Sequence, residues 1–542
     1  MPHRPQSQSP DRRSLLRGSL AASAALALPA VGATAVGAAA APAQALSGRP
    51  RAAWGVQTGD VTSSSGLVWV RSDRPARMIV ETSATESFRH SRRWHGPLLG
   101  PGTDFTGTTP LRGLPPGEQV YYRVTLADPD DPRRTGEPVR GTFRTASAKR
   151  RGGVRFLWSG DIAGQGWGIN PDIGGYRVYD EMRRLDPDFF LCSGDTVYAD
   201  GVIQPSVTLP DGRVWRNITT PEKSKVAETL DEYRGNFRYN LLDENARRFN
   251  AQVPSIVQWD DHEVRNNWYP GQILDDARYT EKNIDVLAAR SMRAFSEYFP
   301  ISTLPARGAG GKDGRRGKDG GRVYRVVGQG PLLDVFVLDM RTYRNANSPG
   351  RQPDDATGIL GAEQLAWLKK ELSRSRAVWK VIASDMPLGI VVPDGPADFE
   401  AVAQGDPGAP LGRELQIAEL LRHIKHARIT GTVWLTADVH YTSAQHYDPS
   451  RAAFKDFAPF WEFVSGPLAA GGFPSSRLDA TFGPDQVFVK APARANVSPM
   501  ESPQYFGEVD IDGGSGELTV RLRAEGGTVL FSKVLQPGLV GQ

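Results

Sequence analysis

Asp188-Phe189-Phe190-Leu191-Cys192-Ser193-Gly194-Asp195-Thr196-Val197-Tyr198 is the stretch on which the reading of this chain turns. Its apolar run is too short for a helix and lacks polar alternation, so it predicts a strand buried on both faces. Gly194-Asp195 then stops it. The same pattern recurs along the chain. Val154-Arg155-Phe156-Leu157-Trp158-Ser159 runs into Gly160-Asp161, and Ser255-Ile256-Val257-Gln258-Trp259 into Asp260-Asp261-His262-Glu263. Trp379-Lys380-Val381-Ile382-Ala383 precedes Ser384-Asp385-Met386-Pro387, and Gly431-Thr432-Val433-Trp434-Leu435 precedes Ala437-Asp438-Val439-His440. One Asp at a strand end can simply cap the next turn. Five bring carboxylates to the edge where open α/β sheets build their sites. Carboxylates gathered there repel and need cations between them.

Helical patterns separate the strands, at Tyr176 to Leu185, Glu363 to Ser373 and Glu414 to His426, and Leu333 to Leu338 is a further strand. Strands alternating with helices predict an α/β region, running from about residue 152 to 542. Its tail alternates again over Glu517 to Leu522, which predicts added edge strands. The Gly-, Lys-, Arg- and Asp-rich stretch Gly308 to Gly321 reads as a solvated loop. Upstream, residues 46–147 read as β. Gly66 to Arg71 and Arg77 to Thr82 are strands, and Pro115-Pro116-Gly117 feeds a strand opening on Tyr121-Tyr122, like the tyrosine corner of immunoglobulin and fibronectin type III sandwiches.

The first 45 residues read as an export signal. Arg12-Arg13 is followed by an Ala-rich apolar segment from about Gly18 to Ala41, and Ala43-Gln44-Ala45 offers a cleavage site. This predicts export by the twin-arginine machinery to a secreted, periplasmic or cell-wall location, with no stable membrane anchor. Of the formal net charge of +4, most lies in that signal, so the basic balance says little about nucleic acid, and no nucleic-acid partner is expected. One cysteine, Cys192, excludes an intrachain disulfide. At 39% hydrophobic and 23% charged, the chain has an ordinary globular composition.

The ordered set of motifs resembles the metallophosphoesterases. Gly194-Asp195-x-x-Tyr198 looks like the GDxxY of purple acid phosphatases. Trp259 to Glu263, Thr436 to Tyr441, Leu338 to Arg344 and Phe460 to Pro467 look like the PhoD-type alkaline phosphatases. The resemblance covers most of the chain after the signal. It implies an immunoglobulin- or fibronectin-like sandwich followed by a metallophosphoesterase domain, a β-sandwich core flanked by helices. It implies an alkaline phosphatase acting on small-molecule or lipid phosphate esters. A phospholipase D-like phosphodiesterase on the same scaffold is the alternative, and an adhesive protein with structural metals the more distant one.

Carried over by residue, the resemblance implies a first metal on Asp161, Tyr198 and His440, with Asp195 bridging to a second. Asp261 falls where the purple acid phosphatase motif has its Asn ligand, and His262 where its His meets the phosphoryl or leaving group. Asp438 and Asp385 stand where purple acid phosphatases carry imidazoles. An all-oxygen second site of Asp195, Asp261 and Asp438 favours calcium, while phenolate and imidazole at the first favour ferric iron; zinc or another divalent ion is the fallback. PhoD-type enzymes carry a Cys ligand after the first strand, whereas this strand ends in Asp161 and Cys192 lies one strand later. Asp260, Asp385 and Asn266 are further candidates as ligands or supports. Asn266 and Asn267 read equally as turn residues. Arg234 and Arg265 read as phosphate contacts or as plain salt bridges.

Overall fold

The structure, a computed structural model, describes residues 48–303, 322–354 and 357–538. The export signal and the Gly308 to Gly321 stretch lie outside these residues. Two large sheets dominate. One has nine strands, in the order 529–535, 518–524, 505–511, 154–159, 189–193, 255–258, 56–59, 65–71, 106–112; the other has seven, in the order 325–328, 333–337, 379–383, 432–436, 460–464, 442–447, 484–490. Within each, the site-bearing strands are parallel to their neighbours: 154–159, 189–193 and 255–258 in the first, 333–337, 379–383, 432–436 and 460–464 in the second.

The unbroken apolar runs follow from this layering. Phe156, Trp158, Leu191 and Ile256 of the nine-stranded sheet share one core with Val335, Val381, Leu435 and Phe463 of the seven-stranded sheet. The sheets therefore pack face to face, each such Val, Ile, Leu or Phe contributing roughly 1.5–3 kcal/mol on burial. The outer face of the nine-stranded sheet packs helices Arg177–Arg184, Leu230–Asn240, Glu244–Asn250 and Ile284–Tyr298. Helices Gly361–Arg374 and Glu414–His426 cover the outside of the seven-stranded sheet. The arrangement is a mixed α/β sandwich with helices on both flanks. Gln258 ties the two sheets at one end, its buried amide donating to the carbonyls of Leu338 (3.1 Å) and Ala383 (3.0 Å).

The N-terminal β region forms a sandwich: strands 56–59, 65–71 and 106–112 face a four-stranded sheet, ordered 92–99, 76–83, 119–127, 139–144, across a core that includes Val68, Val70, Met78, Val80 and Val124. It is not a separate bead. Strand 56–59 pairs parallel with 255–258 through Gly59 and Ser255, so its sheet continues the large one. Arg325 clamps Asp60 with two 2.8 Å contacts. The tyrosine-corner expectation is corrected in detail: Tyr122 is buried, but its hydroxyl donates to the carbonyl of Ala251 at 3.1 Å, beyond its own corner. The C-terminal tail adds edge strands, as expected. Strand 505–511 pairs antiparallel with 154–159, and 529–535 is the outermost strand.

Candidate metal centre

The carboxyl ends of the parallel strands of both sheets converge, and the tight turns that end them present the acids. Asp161, Asp195, Asp438 and His440 all have left-handed backbone, with φ of 66°, 47°, 65° and 59°. Non-glycine residues held there cost on the order of 1–3 kcal/mol each and cluster at functional sites. Gly194, at φ 86°, cannot be replaced without strain, and a Cβ on it would lie 2.5 Å from the Cβ of Asp260. Gly466 makes room for Asp161 in the same way, since a Cβ there would lie 2.2 Å from Asp161 Oδ2.

Three groups of side chains each bring ligand atoms within 4.8 Å of one another: Asp161, Asp195 and His440; Asp195, Asp261 and His262; Asp260, Asp261 and Asp438. All are buried. Asp195 belongs to the first two and Asp261 to the last two, so the groups form one continuous cluster. The trio expected for the second site is split: Asp261 joins Asp195 in one group and Asp438 in another. Burial pushes the Asp195 carboxyl well above the usual carboxylate range, and Asp261, Asp260 and Asp161 push in the same direction. That repulsion suits a place built around positive charge.

On one side, the Nδ1–H of His440 donates to the carbonyl of Gly471 at 2.6 Å. This fixes the tautomer and turns Nε2 inward, where it lies 2.8 Å from the Tyr198 hydroxyl and 3.3 Å from Asp161 Oδ1. A ring so oriented is what metal-binding imidazoles need. The loop carrying Asp195 and Tyr198 is held from three directions. Glu263 accepts from the amide and hydroxyl of Thr196 and from the amide of Asp260, at 2.5, 2.6 and 2.7 Å. Asn240 donates to the Thr196 carbonyl at 2.6 Å, and Lys223 donates to the Tyr198 carbonyl at 2.7 Å. Burial lifts Glu263 to about 7 and lowers Lys223 to about 7.

On the other side, His262 Nδ1 meets Asp200 Oδ1 at 2.6 Å, and Asp200 Oδ2 accepts the Asn266 amide at 2.9 Å. Burial alone would raise Asp200; the His262 and Asn266 contacts hold it below the usual range. The main-chain amide of His262 donates to Asp195 (3.2 Å) and that of Asn267 to Asp261 (2.6 Å). Asn266 thus enters through its backbone.

Behind the acids lies a guanidinium that the sequence reading quoted within a motif but gave no role. Arg341 is fully buried; its Nε donates to Asp260 at 2.6 Å, it pairs with Glu400, and it lies 3.8 Å from Asp385. Asp385 is outside the three groups. Neither of its oxygens accepts a hydrogen bond, and burial and Asp260 push its carboxyl well above the usual range. Arg234 is placed elsewhere. All its nitrogens are engaged, by Glu297, Asp231 and the Gly102 carbonyl, which makes it a buried structural pair rather than a phosphate contact. Arg265 lies beside the Asn266 carbonyl (3.2 Å) and Asp276 (3.7 Å), with its buried Nε unbonded. Cys192 sits opposite Ser159 in the sheet and in none of the three groups; burial holds its thiol protonated.

Comparison with known proteins bears on most of the chain. A model of the family described as PhoD-like phosphatase matches residues 156–522, and one of the PhoD-like phosphatase N-terminal domain matches residues 37–147. Alkaline phosphatase D of Bacillus subtilis (strain 168) is 26% identical over 471 residues, 81% of this chain and 72% of that protein. A solved structure of PhoD superposes with a TM-score of 0.66 at 21% identity, covering 90% of each chain. Purple acid phosphatase PPD1 from yellow lupin (Lupinus luteus) seeds superposes with a TM-score of 0.55 at 12% identity, over 90% of this chain and 74% of that one.

Proposed function

The chain belongs to the PhoD-like phosphatase family and is a phosphoric ester hydrolase, and from that premise we propose an exported, metal-dependent alkaline phosphatase acting on phosphomonoesters and phosphodiesters. The observation that carries the metal dependence is a buried run of ligand groups linked by shared carboxylates: Asp195 joins the group of Asp161 and His440 to Asp261, and Asp261 joins it to Asp260 and Asp438. Tyr198 and His440 with Asp161 suit ferric iron. The oxygen-only Asp260, Asp261 and Asp438 suit calcium. When bound, such ions supply a water of lowered pKa and a positive clamp on the phosphoryl oxygens.

The chain's own residues do the rest. Asp195 holds the two halves of the cluster in register. Gly471 keeps His440 Nε2 facing inward. Asp200 orients His262 through Nδ1 and stabilises its imidazolium, so that the proton on Nε2 can pass to the departing alkoxide. Glu263 and Arg341 brace the turn that carries Asp260 and Asp261. We assign Arg265, whose main-chain amide donates to the Asp261 carbonyl, as the cation that meets the leaving side. Among the described residues no helix is long and apolar enough to cross a membrane. We assign residues 46–147 to an accessory sandwich and 152–542 to the catalytic domain.

The test is metal analysis of natively exported protein combined with turnover of an aryl phosphate and a bis-aryl phosphate. Iron and calcium, with hydrolysis of both esters, is the expected result. Zinc in every site would refute the metal assignment, and hydrolysis of the diester alone would favour the phospholipase D-like reading.

A further inference from the structure

We propose that the outward face of the four-stranded sheet of the N-terminal sandwich is a docking surface for a linear polyanion. Met78, Val80, Tyr122 and Val124 turn into the sandwich core, and a bulge interrupts the alternation where strand 76–83 pairs with 92–99, between Arg77 and Ile79. The opposite positions face outward. On that face, Arg93, Glu81, Arg123 and Arg140 are direct cross-strand neighbours in one row. Arg77 and His95, both exposed, extend it.

Like charges directly opposite one another in a sheet are destabilising, and Arg123 and Arg140 are such a pair. Both guanidiniums lie over the ring of Phe88, 4.7 and 5.6 Å from its centroid. Glu81 is the acid in the row. It bonds Arg123 at 2.7 Å and reaches Arg93 at 3.6 Å, leaving that side chain 59% exposed. Glu86, in the following loop, accepts from Arg140 through its carbonyl. The imbalance belongs to this region: residues 46–147 hold 14 arginines against 10 acids, whereas residues 148–542 hold 47 Lys and Arg against 50 Asp and Glu.

The chemistry of the face selects among anionic partners. Arg123 and Arg140 cover Phe88, and the half-buried Tyr121 is the one tyrosine at the outward positions of these strands, too little for a run of stacked bases. Leu98 is the large apolar residue exposed on these strands, which is too little to enter a bilayer. A flexible chain of spaced anions fits these guanidiniums, Arg123 and Arg140 one strand spacing apart, about 4.8 Å, and Arg93 two spacings from Arg123 across Glu81. This proposal stands apart from the reading of the metal cluster.

The test is binding of the full chain to heparin, a sulfated polymer that a phosphoesterase does not consume, with turnover of a small aryl phosphate measured on the same samples. The wild type is expected to bind with an affinity that falls steeply with salt, as ion release requires. Joint Arg77→Gln, Arg93→Gln and Arg140→Gln substitution should weaken binding at least about tenfold and leave turnover unchanged. Arg123 is kept, so that Phe88 stays packed. Should the triple variant fail to fold, Arg140→Gln alone should still lower the salt concentration that releases the protein. Absence of binding at low salt, or equal binding by the variants, would overturn the proposal. So would preference for anionic lipid vesicles or single-stranded DNA over heparin.

Discussion

Lys223 shows how much of this site rests on single residues outside the ligand set. It is 1% exposed, and its ammonium donates to the Tyr198 carbonyl and to Asn236. Among the described residues it has no ion-pair partner, so its burial is costly. The bond to the Tyr198 carbonyl accounts for it: it sets where that side chain is presented. Lys223→Met should therefore keep the fold, since a buried charge is exchanged for an apolar chain of similar length. Metal affinity or activity should fall by about 10–100-fold, as when supports of a metal ligand are removed. Unaltered metal retention on dialysis would contradict this. Tyr198 makes the sharper prediction. A phenolate on ferric iron gives a visible charge-transfer band, so natively loaded enzyme should be coloured, and Tyr198→Phe should bleach it while preserving the far-ultraviolet dichroism. A colourless native enzyme would remove the ferric–tyrosinate assignment. At this scale the sequence was legible where spacing is short. Asp195 and Tyr198 sit in one turn and could be read together. Asp200 follows two residues further on, but its role depends on His262, 62 positions away. Glu263 acts on Thr196 across 67 positions and Arg341 on Asp260 across 81. Nothing local announces such contacts.

Among the elements, the strands were legible because burial on both faces leaves unbroken apolar runs. Helix Glu414–His426 was readable to the residue, since its amphipathic stripe is regular. Helices Leu230–Asn240 and Ile284–Tyr298 were not named, although Thr229 and Glu232 form a capping box and Asn283 caps the second. Their buried stripes carry polar residues, Arg234 and Asn236 in one and Ser291 and Glu297 in the other. These bond to partners elsewhere in the fold and blur the apolar period. The Arg-rich, aromatic stretch Phe88 to Trp94 takes its meaning from cross-strand rows, which no single strand reveals.

One buried strand residue also sets a pH response. Burial lifts the Glu462 carboxyl from 4.5 to about 7, against hydrogen bonds from Tyr447 and the Leu388 amide. A carboxyl raised on folding stabilises fully below its unfolded value, and that contribution is lost as pH rises through about 7. Glu462→Gln should thus reduce the loss of stability between about pH 5 and about pH 8 by up to about 3 kcal/mol, measured by chemical denaturation. Parallel pH profiles for variant and wild type would contradict it.

For the molecule as a whole, the two-sheet sandwich places the carboxyl ends of both parallel sets at one edge, and that is what turns scattered Asp-containing turns into one cluster. The sequence showed the turns; it could not show that two sheets contribute them, since face-to-face packing has no signature in a single strand. The continuity of the N-terminal sandwich with the nine-stranded sheet through Gly59 and Ser255 was likewise invisible. It makes the accessory region part of the catalytic scaffold. At this scale the export reading predicts that changing Arg12-Arg13 to Lys-Lys leaves folded, metal-loaded precursor inside the cell, followed by fractionation and activity. Undiminished export would remove it.

The account rests most heavily on one carboxylate shared by two halves of the cluster. Asp195→Asn preserves its size and removes its charge. The measurement is turnover of an aryl phosphate by this variant, after metal loading, alongside its metal content and its melting curve. The predicted result is a folded protein that has lost at least about 10³-fold in rate and part of its metal, as befits a centre that supplies both nucleophile and clamp. Turnover close to wild type in a fully loaded Asp195→Asn sample would contradict the site itself.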